Sequence, residues 1–471
     1  MKTFRYDLVI VGAGSGGYAA ARTARDLGAS VALVDHGPLG GLCILRGCMP
    51  SKTLLASSDI AHEVREASHL GVNAGIDTID FKKIFERKRE IIGGFVDYRT
   101  EGIKSFPLYE GLASFESATR LRVGDDVVLE ATNFIIATGS VVAPPAMLGL
   151  EETGYIDSDV VLDCEKLPTS VIVLGGGYVG CELGQFLARM GTKTSFVIRA
   201  KHLLSSEDGD VGDAVTGYFR SEGMDVHTNS IVTRVEKRGA MKVVHFVRDG
   251  VAAEIEAEEL FYALGRVPNV AELGLERAGV ECHAITGITV GPDLRTCVPN
   301  IFAVGDVTGI FALVHVAIYQ GEIAARNAVL GVADVADYAL QKTHTIFTDP
   351  QVAVVGRTEK ELAAAGVPYL AGSYLFSEHG KAVAINKTKG FVKMLASPQD
   401  GKILGAAIVG ADASDLIHEV IVAMYYGGTV GEFVKIPHLH PTLAEILTYP
   451  AEDIVDQMTA VRHAPSIAAA V

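Results

Sequence analysis

At 471 residues the chain is too long for one ordinary core and implies two to four domains, while 49% hydrophobic residues and 51 glycines describe a well-packed protein with many tight turns. A formal net charge of −16, aromatics at only 7% and the absence of Trp argue against nucleic acid or acidic membranes as partners. Six cysteines in such a length do not make a secreted disulfide framework. Met1 to Asp7 has no apolar leader and no run approaches about eighteen uninterrupted apolar residues, so the expected location is the cytoplasm, with no membrane span.

The apolar run Leu8 to Val11 reads as a strand, and Gly12, Gly14 and Gly17 follow it into a helix from Tyr18 to Ala24. The next strand, Ser30 to Val34, ends in Asp35. Strand, glycines, helix and acid together form a dinucleotide fingerprint, in which the glycines admit a pyrophosphate to a helix N-terminus and the acid holds a ribose hydroxyl.

The stretch Gly40-Gly41-Leu42-Cys43-Ile44-Leu45-Arg46-Gly47-Cys48-Met49-Pro50-Ser51-Lys52 then sets two cysteines five positions apart, within bridging reach across one tight turn. Gly40, Gly41 and Gly47 supply the backbone freedom, and Pro50 suits the first turn of a helix running through Thr53 to Ala61. A thiol at a positive helix end with Arg46 and Lys52 nearby should have a lowered pKa. In a reducing compartment such a dithiol is redox-active rather than structural. Cys164, Cys181, Cys282 and Cys297 are scattered and read as small apolar residues.

Phe81 to Arg99 reads as a charged, solvated helix. Phe134 to Ser140, with Thr138 and Gly139, is a buried strand ending in a turn, and Pro144-Pro145 marks a boundary. A second fingerprint follows: the strand Val171 to Leu174, then Gly175, Gly177, Tyr178 and Gly180, and a helix from Cys181 to Met190. Two fingerprints imply two bound dinucleotides. The second strand of this unit, Thr194 to Ile198, ends in Arg199 and Lys201 instead of an acid, which favours a ribose 2′-phosphate and hence NADPH over NADH.

Gly265 and Arg266 close this unit, and Asn300 to Asp306 is a strand whose tip, just after Gly305, carries an acid able to bind ligand hydroxyls. Beyond Ala339 the pattern becomes mixed, with strands at Val352–Val355, Gly390–Leu395 and Ile403–Val409 and a helix over Asp412–Tyr426. The segment from Pro437 to Glu445 contains His440 and, about one turn on, Glu445, an acid able to orient that base.

With these pieces in order the sequence resembles the class I pyridine nucleotide–disulfide oxidoreductases over essentially its whole length, and its pattern is closest to dihydrolipoamide dehydrogenase. The resemblance implies an α/β fold of two Rossmann-like dinucleotide-binding domains plus a C-terminal α+β dimerisation domain. The implied division is an FAD-binding domain at 1–145 that resumes at 270–339, an NAD(P)-binding domain at 146–269, and the dimerisation domain at 340–471. It implies FAD on the first fingerprint, a nicotinamide nucleotide on the second, no metal, and a homodimer in which His440 and Glu445 serve the dithiol of the other subunit.

By the same resemblance Cys43 matches the thiol that exchanges with substrate, and Cys48 the thiol against the flavin. Lys52 and Glu182 match an ion pair beside flavin and nicotinamide. Asp306 matches the residue that binds the flavin ribityl chain, and Tyr178 a tyrosine that covers the flavin until the nicotinamide enters.

Three departures stand out. Leu42 replaces a threonine that would contact the flavin. Arg46 enters a loop that is neutral elsewhere in the family, where it is expected to lower the thiolate pKa or select an anionic partner. Ser205 stands where a second phosphate-binding arginine would be. The chain has no cysteine after Glu445, which disfavours mercuric reductases and large thioredoxin reductases. A lipoyl substrate is the leading expectation. A glutathione reductase-like enzyme, another NADPH-dependent disulfide, metal or quinone reductase, and a flavin-bound redox sensor without turnover remain as alternatives.

Overall fold

The computed structural model describes residues 1–463; positions 464–471 of the expected C-terminal domain, with their cysteine-free tail, lie outside the described residues.

The first unit is built on β1 (Lys2–Val11), which leads through Gly12–Gly14 into α1 (Ser15–Asp26) and returns as β2 (Val31–Asp35). Helices α2 (Leu42–Arg46), α3 (Cys48–Glu66) and α4 (Phe81–Lys104) follow, then β3 (Leu108–Glu110), β4 (Ala113–Ser117), β5 (Arg120–Val123) and β6 (Val127–Ile136). The sheet order is β3-β2-β1-β6-β5-β4. Parallel pairing of β1 with both β2 and β6 buries its C-terminal half on two faces, which is why Leu8 to Val11 is continuously apolar. Successive residues alternate between cores: Leu8, Ile10 and Leu33 pack on one side, and Val9, Val11 and Val34 on the other.

The chain leaves through β7 (Ser140–Val142), α5 (Leu150–Thr153) and α6 (Ser158–Asp163). The second unit repeats the plan with β8 (Ser170–Leu174), α7 (Tyr178–Arg189), β9 (Lys193–Val197), α8 (Gly209–Ser221) and β10 (Asp225–His227). Three antiparallel strands, β11 (Ser230–Arg238), β12 (Met241–Arg248) and β13 (Val251–Ala257), precede β14 (Glu259–Tyr262), giving a parallel order β10-β9-β8-β14. Then β15 (Arg266–Pro268) pairs with β7, so the exit and return of the chain are clamped together.

The path back includes α9 (Leu275–Ala278) and a ribbon of β16 (Cys282–His283) and β17 (Gly287–Ile288). It then inserts β18 (Ile301–Ala303) beside β6, completing the first sheet, and α10 (Val314–Leu330) packs on α1.

The last unit is an antiparallel sheet of β19 (His344–Ile346), β20 (Gln351–Gly356), β21 (Leu370–Leu375), β22 (Phe391–Ala396) and β23 (Ile403–Gly410), in the order β19-β20-β23-β22-β21. Its helices are α11 (Glu359–Ala364), α12 (Gly380–Ala384), α13 (Ala413–Tyr425), α14 (Val430–Phe433) and α15 (Thr448–His463). No helix among the described residues is long and apolar enough to cross a membrane.

One local expectation is corrected. The cysteines are not joined by a single tight turn: Cys43 lies within α2 and Cys48 is the first residue of α3, with Gly47 between at φ −130°, ψ −117°. A Cβ on Gly47 would stand 3.1 Å from the Leu42 carbonyl oxygen, so glycine lets the two helices meet end to end. Pro50 is consequently the third residue of α3, still within the first turn, where its missing N–H costs no hydrogen bond.

Candidate active site

The two fingerprints leave two uncapped helix ends. Gly14 precedes α1 and Gly177 precedes α7, and neither supplies a side-chain cap, whereas Asp80 caps α4 through the Lys83 N–H. A Cβ on Gly17 would sit 1.9 Å from the Gly12 carbonyl oxygen, and one on Gly180 2.7 Å from that of Gly175. The last glycine of each motif thus lets helix and strand touch. By contrast, nothing lies within 4 Å of a Cβ built on Gly177, and a Cβ on Gly14 meets only the Gly41 Cα at 3.8 Å. Free N–H groups beside open space are what a pyrophosphate requires.

A cavity of about 540 Å³ runs along the first fingerprint, lined by Gly12, Gly14, Asp35, Gly41, Thr138 and Arg266 among others. A second of about 140 Å³ is lined by Gly14, Gly139, Gly305, Asp306, Cys43 and Cys48. Both include Gly14, Leu42, Ala137 and Gly139, so they form one cleft from Asp35 to the dithiol. Asp35 is oriented at one end by the N–H groups of Ala13 and Gly37, at 2.8 and 2.7 Å. Asp306 Oδ2 accepts from the Ser140 hydroxyl at 2.7 Å, and Arg266 donates to Ser140 Oγ and to its carbonyl. Thr138 Oγ1 donates to the Asn269 carbonyl at 2.7 Å, and Gly139 takes φ +72°. A long cleft with anion donors in the middle and acids at both ends fits FAD.

At the dithiol Cys43 and Cys48 act on each other. The Cys43 thiol lowers the Cys48 pKa to about 7 against burial, helped by the Lys52 ammonium one helical turn along. Cys48 and burial push the Cys43 thiol up. The asymmetry makes Cys48 the readier thiolate of the two. Lys52 Nζ stands 2.6 Å from Glu182 Oε2 and 4.5 Å above the Phe347 ring, while Glu182 Oε1 accepts the Phe347 N–H at 2.8 Å.

Arg46 departs from expectation. It pairs with Asp159 at 3.3 Å, and the cation that acts on both thiols is Lys52. The guanidinium is drawn across the cleft by the acid on α6 instead of turning to the sulfurs.

The His440 side chain is 76% exposed and does not line the cysteine cavity. Its Nδ1 sits 3.0 and 3.1 Å from the two Glu445 oxygens. A carboxylate only accepts, so Nδ1 carries the proton and Nε2 is left to act as a base. His440 in turn holds the Glu445 carboxyl below its ordinary pKa. The neighbouring His438 is packed away against Glu419 at 2.6 Å.

On the nucleotide side, Gly175 takes φ +115° and Gly265 +110°. Arg199 is exposed just beyond β9, and Lys201 faces Asp213 at 3.9 Å. Tyr178 lines neither part of the cleft and is tied instead to Glu207 and His344. Sequence reasoning missed Glu207, His344 and the Phe347 N–H, because their partners lie 29 to 166 residues away and no local motif marks them.

The pyridine nucleotide-disulphide oxidoreductase family matches residues 6–321, and the dimerisation domain of the same family matches 343–451. The chain belongs to this family and is a flavoprotein disulfide oxidoreductase. It is 36% identical over 453 residues to a dihydrolipoyl dehydrogenase of Geobacillus stearothermophilus, covering 95% of each chain. It is 34% identical to a mercuric reductase of Streptomyces lividans, covering 95% of this chain and 96% of that one. The Cu(II) complex of the HOCl-induced flavoprotein disulfide reductase RclA from Escherichia coli superposes with a TM-score of 0.83 at 26% identity, over 97% of this chain and 100% of that one. The family uses FAD and a nicotinamide nucleotide, and the dimerisation domain supports a homodimer.

Proposed function

We propose that the chain exchanges electrons between NAD(P)H and a small disulfide or dithiol, with dihydrolipoamide/lipoamide the substrate, in the cytoplasm. The observation that carries this reading is the Cys43–Cys48 pair lining the end of the cleft, with the Cys48 pKa lowered and that of Cys43 raised. Gly12, Gly14, Gly17, Asp35, Gly41, Thr138, Gly139, Gly305 and Asp306 would hold FAD. When bound there, FAD would supply two-electron exchange between nicotinamide and dithiol.

The protein's own residues perform the thiol chemistry. In the reductive direction His440 of the partner subunit takes the proton of Cys43, whose sulfur attacks the substrate disulfide. One substrate thiolate leaves and takes that proton back. The Cys48 thiolate then attacks Cys43, releasing the second substrate thiolate and leaving a Cys43–Cys48 disulfide. One disulfide has been reduced and one formed; the opposite direction retraces these steps. Glu445 holds the histidine tautomer throughout, and Lys52 with Glu182 fixes charge on the nicotinamide side.

Gly175, Gly177, Gly180 and Gly265 frame the nucleotide site, Arg266 lines the flavin cleft beside Ser140, and the exposed Arg199 and Lys201 support NADPH. Steady-state kinetics with NADH and NADPH against dihydrolipoamide, lipoamide and glutathione disulfide tests the reading. Turnover of lipoyl substrates is expected; its absence with both nucleotides would overturn that substrate. Arg199→Glu should raise the NADPH KM about tenfold or more and leave NADH nearly unchanged. Equal effects on both nucleotides would remove the 2′-phosphate argument.

A further inference from the structure

One acid on the wall of the first cleft is under-bonded. Asp159 is the second residue of α6 and lines the cavity of about 540 Å³ together with Arg46, Ser140 and Arg266. Its Oδ2 receives Arg46 at 3.3 Å, long for a charge-assisted bond, which normally spans about 2.7–2.9 Å. Among the buried side-chain nitrogens and oxygens of the described residues, Asp159 Oδ1 alone has no hydrogen-bond partner. An ionised carboxylate offers about four acceptor positions, so a single long bond leaves most of them idle.

The fold places both members of this pair at the cleft. Asp157 caps α6 by accepting the Val160 N–H, which fixes the turn that carries Asp159. Arg46 ends α2, the helix that carries Cys43. On the same wall Arg266 donates to the Ser140 hydroxyl and carbonyl, and that hydroxyl donates to Asp306. Of the charges acting on Arg266, that of Asp159 is the largest and that of Asp306 is next. Asp159 thus groups with Asp306 and not with Asp35.

A carboxylate only accepts, so its missing partner is a donor. The diphosphate of FAD has none to give, whereas the ribityl chain carries hydroxyls. We propose that Asp159 is a cofactor-binding residue that accepts a hydrogen bond from a ribityl hydroxyl of FAD, and that Arg46 is the positioning residue that keeps its carboxylate at the cleft. The inference rests on reading the first cleft as the FAD site. It gives the cation of the dithiol loop a task away from the thiols. Arg46 and Arg266 face the acid and offset its charge beside the negative charges of the cofactor.

Flavin release from the holoenzyme, read as free flavin passing a size-exclusion filter, tests the assignment in the wild type, Asp159→Ala and Arg46→Met. Each protein is loaded by exchange with excess FAD or with an analogue lacking a single ribityl hydroxyl. Asp159→Ala should release FAD about ten- to a hundredfold faster, the loss expected for a hydrogen bond to a charged group. Arg46→Met removes an exposed pair and should speed release no more than about fivefold. One analogue should leave the wild type as fast as FAD leaves Asp159→Ala, and Asp159→Ala should release that analogue and FAD alike.

Wild-type release from Asp159→Ala would overturn the proposal. So would an Arg46→Met effect as large as that of Asp159→Ala, because the ion pair would then be its source. Analogues that speed release by the same factor in both proteins would also overturn it, since the variant would then act through the fold and not through a hydroxyl. A purified protein without flavin would remove the reading of the cleft and Asp159 with it; bound flavin with unaltered release would sink the role of Asp159 alone.

Discussion

The Cys48 pKa is lowered by two neighbours, the Cys43 thiol and Lys52, one turn down α3. In FAD-loaded protein, Cys43→Ser should keep a long-wavelength thiolate–flavin absorption, since a serine hydroxyl still donates, whereas Cys48→Ser should abolish it. The folded pKa is lowered to about 7, so the band should be full in mildly alkaline solution and fade as pH falls through neutrality. Lys52→Met should move that fading toward higher pH. A band that titrates identically in both proteins would show that Lys52 does not set the charge. His440 depends on its neighbour in the same way. His440→Ala should cost about 10²- to 10⁴-fold in kcat, the usual range for a positioned base, and Glu445→Gln less, because the imidazole remains while its tautomer loses the carboxylate. Arg46 shows the limit of residue-level reasoning: proximity in sequence suggested a role at the thiols, but Asp159 on α6 holds it elsewhere.

At the scale of elements, the two strand–glycine–helix units make separable demands on their glycines. Gly17→Ala forces a Cβ to 1.9 Å from the Gly12 carbonyl, so α1 must lift from β1 and FAD content should fall along with thermal stability. Gly177→Ala meets nothing within 4 Å and keeps an ordinary φ of −81°, so stability should be preserved while the nucleotide KM rises. If Gly177→Ala melted like Gly17→Ala, the space before α7 would be structural instead of a phosphate berth. The elements were legible because apolar runs next to glycine turns are local patterns; Leu8–Val11 and Val171–Leu174 announce buried parallel strands. The helix entry at Cys48 was not, since whether α3 begins at Cys48 or past Pro50 depends on how α2 meets it across Gly47.

Across the whole molecule, long-range ion pairs and exposed apolar groups decide how the units act together. Arg189, its side chain only 3% exposed, binds Asp59 of α3, Glu222 and Asp349. Arg189→Met would strand those carboxylates and should cost about 3–5 kcal/mol in a denaturation experiment; a loss under about 1 kcal/mol would mean the network is decorative. On the C-terminal unit Tyr425, Tyr426 and Leu439 are 72, 81 and 78% exposed, an apolar surface suited to the matched dimerisation domain. Tyr426→Lys with Leu439→Lys should weaken self-association in sedimentation and depress turnover in proportion, because the exposed His440 directly follows Leu439 on that surface.

The amino-acid sequence by itself determined the two dinucleotide units, the dithiol, the basic end of β9 and the His440–Glu445 pair, since each is written in residues a few positions apart. Only the tertiary structure decided that Asp35 and Asp306 bound one cleft, that the Phe347 N–H also holds the Glu182 paired with Lys52, and that Tyr178 is tied to Glu207 and His344. Those contacts join residues up to 166 positions apart, and a hydrogen bond is set by where two backbones come to rest, which no local pattern encodes.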